Sequence, residues 1–288
     1  MPRSDTRRPA GRVAVVTDST ACLPAQLAEK LGVTVVQLQV RIGDRVDDEA
    51  RVPPAELGEA MRDQLDVATA PPDPGAFFWS YADLATSGVR AIVSLHVSTA
   101  LSRTAEAARE AAAQARVPVH VVDTRTCGMS LGYAVVAAAT AAAVGADVDR
   151  VLAAARRSAD RSSELIYVDT LEYLRRGGRI GAAAALLGSA LSMKPLLTVA
   201  DGRIAPLEKV LGGERALRKM IDIAVRRAGG GQVDIAVEHF GAPERARSVL
   251  DQLRSRLPDV RRFLVTQVSS AVGAHLGPGA VGVTVSPV

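Results

Sequence analysis

Short apolar runs alternate along the first half of the chain with longer stretches whose apolar positions recur at helical spacing. Residues 13–16 form an apolar run that ends in Thr17-Asp18-Ser19-Thr20, which predicts a strand and then a polar turn. Pro24 opens a helix to about Leu31, where Gly32 stops it. Residues 33–40 are rich in β-branched side chains and read as a second strand. Pro53 and Pro54 open a helix to about Leu65, and residues 69–75 read as a loop stiffened by Pro71, Pro72 and Pro74. There follow a helix over 75–86, a strand over 89–97, an Ala-rich helix over 101–116 and a strand over 117–122. Two further helices cover 128–144 and 148–158.

This alternation predicts right-handed βαβ crossovers and a mainly parallel sheet with helices on both faces. Polar residues gather just after the strand ends: Asp18, Ser19 and Thr20; Ser98, Thr99 and Ser102; Asp123 and Thr124. The carboxyl edge of such a sheet is its binding edge, so three clusters there point to one site. Each cluster taken alone also fits a helix N-cap.

The second half reads differently. A strand over 165–169 and a short helix over 171–175 end at Gly177-Gly178. Residues 180–193 carry no charge, and an Asp201-Gly202 turn joins strands over 195–200 and 203–210. A helix over 214–227, a strand over 233–239, a helix over 243–257 and a strand over 262–268 complete the pattern. The expectation is an α/β fold: an N-terminal domain over 13–160 and a smaller α+β domain over 161–288, with a ligand between them.

Composition supports two packed cores. The chain has 288 residues, 48% of them hydrophobic and only 3% aromatic, so Ala, Leu and Val must build the interior. The net charge of +4 sits largely in residues 1–12, where Arg3, Arg7, Arg8 and Arg12 oppose Asp5. Without them 31 Lys and Arg face 30 Asp and Glu. That is a disordered basic tail on a nearly neutral body, which argues against nucleic-acid binding. Cys22 and Cys127 belong to no CxxC or Cys/His cluster and read as reduced thiols of a cytoplasmic protein. The N-terminus shows no signal-peptide pattern. The uncharged stretch 126–146 is dominated by Ala and reads as a buried helix. No membrane span is expected, only transient contact with a membrane surface.

Familiar catalytic motifs are missing. There is no GxxxxGK[ST], no GxGxxG after a strand and no HExxH. What remains are hydroxyls and backbone amides at helix starts, which suit an anion such as a carboxylate or phosphate. His275, among glycines near the end, joins them. Ser98 or Ser102 with His275 would suit a serine hydrolase or acyltransferase acting on a lipid-like substrate, and spacing alone does not separate that reading from a binder.

Several segments taken in order resemble the DegV family of bacterial fatty-acid-binding proteins. They are Thr17-Asp18-Ser19-Thr20, the loop begun by Thr69, the stretch 97–104 (Val-Ser-Thr-Ala-Leu-Ser-Arg-Thr) and the stretch 171–180 (Leu-Glu-Tyr-Leu-Arg-Arg-Gly-Gly-Arg-Ile). Lys194-Pro195 with Asp201-Gly202, and His275-Leu276-Gly277-Pro278-Gly279, complete the set. The resemblance implies a non-enzymatic carrier with no cofactor, its long-chain fatty acid buried between two domains. The carboxylate would be held by Thr69 and Ser102, with Ser98, Thr99 and His275 nearby. A fatty-acid kinase is the implied partner, and Arg179 the implied contact with it. Two departures fall at the expected head group: Ala70-Pro71-Pro72 replaces Ser-Gln-Pro, and Arg103 replaces a glycine, where it would add a cation near the carboxylate. The uncharged runs 133–144 and 181–191 would line the acyl slot.

Overall fold

The computed structural model describes residues 13–186, 188 and 193–288. The basic segment 1–12 and part of the uncharged run after Leu186 lie outside the described residues. A four-stranded parallel sheet of order β2-β1-β6-β7 organises the first half. Its strands are β1 (Val13–Asp18), β2 (Thr34–Val36), β6 (Ala91–His96) and β7 (Val119–Asp123). Strand alternation sends Val13 and Val15 of β1 to one face and Ala14 and Val16 to the other. The first face packs on α1 (Ala25–Leu31), α5 (Gly128–Ala143) and α6 (Val148–Arg161). The second packs on α3 (Pro74–Thr86), through Phe77 and Tyr81, and α4 (Thr104–Ala112), through Ala108 and Ala111. Helices therefore cover both faces, as a parallel sheet requires.

Two readings of the sequence needed correction here. The apolar run 33–40 is not one strand. It breaks after β2 and resumes as β3 (Gln39–Ile42), which joins a small antiparallel sheet of order β4-β3-β5. The segment beginning at Thr69 is not all loop either, because β5 (Val67–Ala70) pairs with β3 and ends before the prolines. Strand β4 (Arg45–Asp48) completes that sheet, and α2 (Pro54–Arg62) follows it.

The second half is built on a six-stranded mixed sheet of order β10-β9-β8-β13-β11-β12. Its strands are β8 (Ser163–Tyr167), β9 (Met193–Ala200), β10 (Arg203–Leu211), β11 (Val233–His239), β12 (Val260–Gln267) and β13 (Val281–Pro287). The β9–β10 turn matches the Asp-Gly expectation, with Asp201 at φ 50° and Gly202 at φ 75°. The outer face of the sheet places Leu165, Val283 and Val237 against α8 (Gly213–Ala228) and α9 (Pro243–Arg256). Residues of alternate parity, such as Ile166 and Ala236, face the N-terminal half in a core that also contains Cys22, Leu38, Val40 and Met129. The last strand, β13, runs between β8 and β11, and α10 (Ser270–Leu276) precedes it. Neither element was anticipated. Among the described residues no helix is long and apolar enough to cross a membrane.

Candidate functional site

A cavity opens where the carboxyl edge of the parallel sheet meets the inner face of the six-stranded sheet. It encloses about 810 Å³ not filled by atoms, part of it open to solvent. Its walls are mainly apolar: Leu38, Val97 and Leu101 from the first half, and Ile166, Leu174, Ile204, Phe240 and Val268 from the second. Alternation explains this wall, because the residues of β8 and β11 that face away from α8 and α9 must face the cavity. The wall is not made by the runs proposed from sequence. Ala137, Thr140, Ala141 and Val144 line a different hollow, between α5, α6 and the end of β13. The described part of 181–191, a 3-10 turn over Gly181–Leu186, does not reach the cavity.

Thr69, Ser102, His275 and Arg179 converge on the cavity. β5 delivers Thr69, whose Oγ1 lies 2.8 Å from His275 Nε2, on α10. Burial, reinforced by the positive charge of Arg179, pushes the His275 pKa down from 6.5 to about 4, so the ring is neutral at neutral pH. Its Nδ1 is buried without a partner among the described residues. A proton on Nδ1 would be an unsatisfied buried donor, so the neutral ring is better served by Nε2–H donating to Thr69. The Thr69 hydroxyl hydrogen is then free for another acceptor. Ser102 sits one residue before the N-cap of α4; its hydroxyl lies 2.8 Å from that of Thr104, and its N–H donates to Ser98 O at 3.0 Å.

Close backbone approach explains the glycines beside this cluster. A Cβ on Gly177, just after α7 (Glu172–Arg176), would lie 2.1 Å from His275 Nδ1. One on Gly277 would lie 2.1 Å from the Tyr173 ring. Thus Gly177-Gly178 and Gly277-Pro278-Gly279, nearly a hundred residues apart in sequence, let α7 and α10 pack together.

The other expected residues lie elsewhere. Ser98 is buried outside the cavity wall, and its Oγ accepts from Ala100 N at 3.2 Å, so it closes a turn. Thr99 is exposed and donates to Asp123 Oδ2 at 2.5 Å. Arg103 points to solvent, its side chain 79% exposed and paired with Glu106 at 2.6 Å; it does not add a cation to the cavity. Arg179, the candidate partner contact, is half-buried and lines the cavity, its Nε donating to Leu101 O at 3.1 Å and its Nη1 to Gly177 O at 2.7 Å.

Among the described residues the cavity shows no hydrogen-bonded serine–histidine pair. His275 Nε2 is engaged by Thr69, and neither Ser98 nor Ser102 bonds to that ring among the described residues. A Ser–His–Asp chain does occur elsewhere, where Ser94 Oγ lies 2.7 Å from His96 Nε2 and His96 Nδ1 lies 2.9 Å from Asp18 Oδ2. Tyr81 OH lies 2.8 Å from Ser94 Oγ. All of Asp18, Ser94 and His96 are fully buried in the parallel sheet, with no room for a substrate. Asp18 also accepts from Val97 N and Thr20 N, so this chain fixes the sheet edge from which the cavity is built.

Glu49 is a contributor that sequence reading passed over. Its Oε2 accepts from Ala271 N at 2.9 Å in the first turn of α10, the helix that carries His275. Burial raises its pKa to about 7.

Comparison with known proteins agrees with this architecture. A sequence profile of the DegV family, described as uncharacterised proteins, matches residues 12–288. The chain belongs to the DegV family. A DegV domain-containing protein of Streptomyces coelicolor is 49% identical over 275 residues, covering 95% of this chain and 98% of that one. One from Mycobacterium tuberculosis is 36% identical, covering 95% and 96%. Among solved DegV structures, a Thermus thermophilus protein described for its fatty-acid binding superposes with a TM-score of 0.91 at 29% identity, covering 96% of this chain and 100% of its own. Bacillus subtilis DegV, described as a fatty acid binding protein, gives 0.88 at 26% identity, covering 97% and 100%.

Proposed function

We propose that the chain holds a long-chain fatty acid in this cavity and carries it without transforming it. The observation that carries the reading is a largely apolar cavity with one cluster of two hydroxyls, a neutral imidazole and a guanidinium in its wall. The fatty-acid binding described for the Thermus and Bacillus relatives supports it. Burying a methylene is worth roughly 0.8 kcal/mol, so a long chain alone could supply sub-micromolar affinity after ordering costs. The carboxylate would accept from Thr69 and Ser102, with His275 holding the Thr69 hydroxyl by its Nε2–H and Arg179 supplying a nearby positive charge. The two sheets would be the cores of two domains that clasp the ligand. In this reading the chain does no chemistry of its own, which would fall to a partner, and the DegV resemblance implies that partner to be a fatty-acid kinase.

Titration of a long-chain fatty acid into the wild type and the Thr69→Ala/Ser102→Ala double variant tests the site. Hydrogen bonds to a charged group contribute roughly 1.5–3 kcal/mol each, so the double variant should bind at least about a hundredfold more weakly. Unchanged affinity would sink the assignment.

A further inference from the structure

The hollow between α5, α6 and the end of β13 is separate from the cavity described above and shares no lining residue with it. It encloses about 900 Å³ not filled by atoms, part of it open to solvent. Its lining side chains carry three guanidiniums, those of Arg157, Arg161 and Arg261, against one carboxylate, that of Asp234. Asp234 is already engaged: Arg261 Nε donates to its Oδ1 at 2.9 Å and Arg261 Nη2 to its Oδ2. Arg157 and Arg161 form no ion pair or hydrogen bond among the described residues, with a side-chain or a terminal carboxylate. They lie four residues apart on α6, so both project from one helix face and repel each other. The place of Arg161 in the last turn suits the helix dipole, but that does not account for a second guanidinium one turn earlier.

The floor of the hollow supplies an independent observation. Tyr133 on α5 is only 4% exposed, and its hydroxyl has no hydrogen-bond partner among the described residues. Burial, reinforced by Asp234, pushes the phenol pKa up, so the group stays protonated and offers a hydrogen that none of those residues accepts. An unsatisfied buried donor is unfavourable, and an acceptor brought by an occupant would relieve it. Helices α5 and α6 form an antiparallel hairpin through the turn 144–147, and Tyr133 and Ser158 lie equally far from that turn. Arg157 and Arg161, which flank Ser158, are therefore level with the phenol. Ala137, Ala141, Ala154 and Pro287 supply apolar wall beside them.

Two unpaired guanidiniums and one donor hydroxyl match a phosphomonoester, which carries a charge of about −1.5 to −2 at pH 7 and three strong acceptor oxygens. A carboxylate would leave one of the two cations unmatched. We infer that this hollow is a second binding site, in which Arg157, Arg161 and Tyr133 hold the phosphate of a phosphomonoester and the apolar wall holds its organic body. The phosphate belongs to a free phosphorylated molecule or to a lipid headgroup, and the inference does not depend on the fatty-acid reading.

The test is calorimetric titration of the purified full chain with phenyl phosphate. Beside it runs flotation with phosphatidylcholine vesicles that contain or lack phosphatidic acid, whose headgroup is also a phosphomonoester. At least one probe should bind: saturable uptake of phenyl phosphate identifies a free ligand, and flotation only with phosphatidic acid identifies a headgroup. Arg157→Ala/Arg161→Ala should weaken that binding about a hundredfold. Tyr133→Phe should weaken it about tenfold, with no loss of stability in the unliganded protein. Thr69→Ala/Ser102→Ala should bind the probe like the wild type, because its substitutions lie in the other cavity. Both arginines are exposed, so their replacement should leave the fold and fatty-acid binding intact. Binding of neither probe by the wild type, or equal binding by the arginine variant, would overturn the inference while the fatty-acid reading stands.

Discussion

At the scale of single residues, His275 concentrates the argument. Its pKa of about 4 lies below the ordinary 6.5, so on acidification the unfolded chain takes up that proton first. The contribution of His275 to stability should be complete above pH 6.5 and disappear as the pH falls toward 4. Urea midpoints followed between those values should fall more steeply in the wild type than in His275→Gln; parallel curves would contradict the burial argument. Gly177→Ala forces a methyl against the same ring, 2.1 Å from Nδ1. We expect it to weaken fatty-acid binding and lower the melting temperature, because overpacking typically costs about 1–3 kcal/mol. Titration and thermal melts would check both effects. From sequence, His275, Thr69 and Ser102 could be named through motif resemblance. Ser98, Thr99 and Arg103 could not be separated from them, because adjacent residues at a strand end point in different directions. Only geometry shows Ser98 closing a turn and Arg103 paired with Glu106 in solvent.

At the scale of elements, α10 is the least legible part of the site and one of its most consequential. It has only seven residues and includes Gly273, so periodicity was too short to reveal it. Its placement depends on Ser269, whose Oγ accepts from Val272 N at 3.3 Å, and on Glu49, which arrives from a 3-10 turn more than two hundred residues earlier. Glu49→Ala should release the first turn of α10, displace His275 and lower ligand affinity, whereas Glu49→Gln should largely preserve the anchor. The Gln variant should also remove a pH dependence. The Glu49 pKa is raised from 4.5 to about 7, so its stabilising share is complete below 4.5 and is lost as the pH rises through 7. Chemical denaturation of both variants across that range reads the effect. The strands and helices of the parallel sheet were legible because each is a sustained apolar run or helical stripe. The break between β2 and β3 was hidden because Leu38 is as apolar as a strand residue, although it packs in the core shared with the second half.

At the scale of the whole molecule, the cavity belongs to neither sheet alone. Its wall takes Leu38, Thr69, Val97 and Ser102 from before residue 160, and Ile166, Ile204, Phe240 and His275 from after it. Periodicity within one strand shows which residues are inward, but not which inward faces meet; the sequence therefore suggested an Ala-lined slot where Leu, Ile, Val and Phe form the wall. A ligand clasped by both halves should stabilise them together. At a hundredfold excess over Kd the gain is about 2.7 kcal/mol, seen as a higher melting temperature for the fatty-acid-loaded protein.

Mass spectrometry of an organic extract of the purified protein, beside the native mass of the intact chain, tests the central claim most directly. The account predicts a stoichiometric long-chain fatty acid in the wild type and its loss from the Thr69→Ala/Ser102→Ala variant. A wild-type protein that emerges empty and takes up no added fatty acid would contradict it.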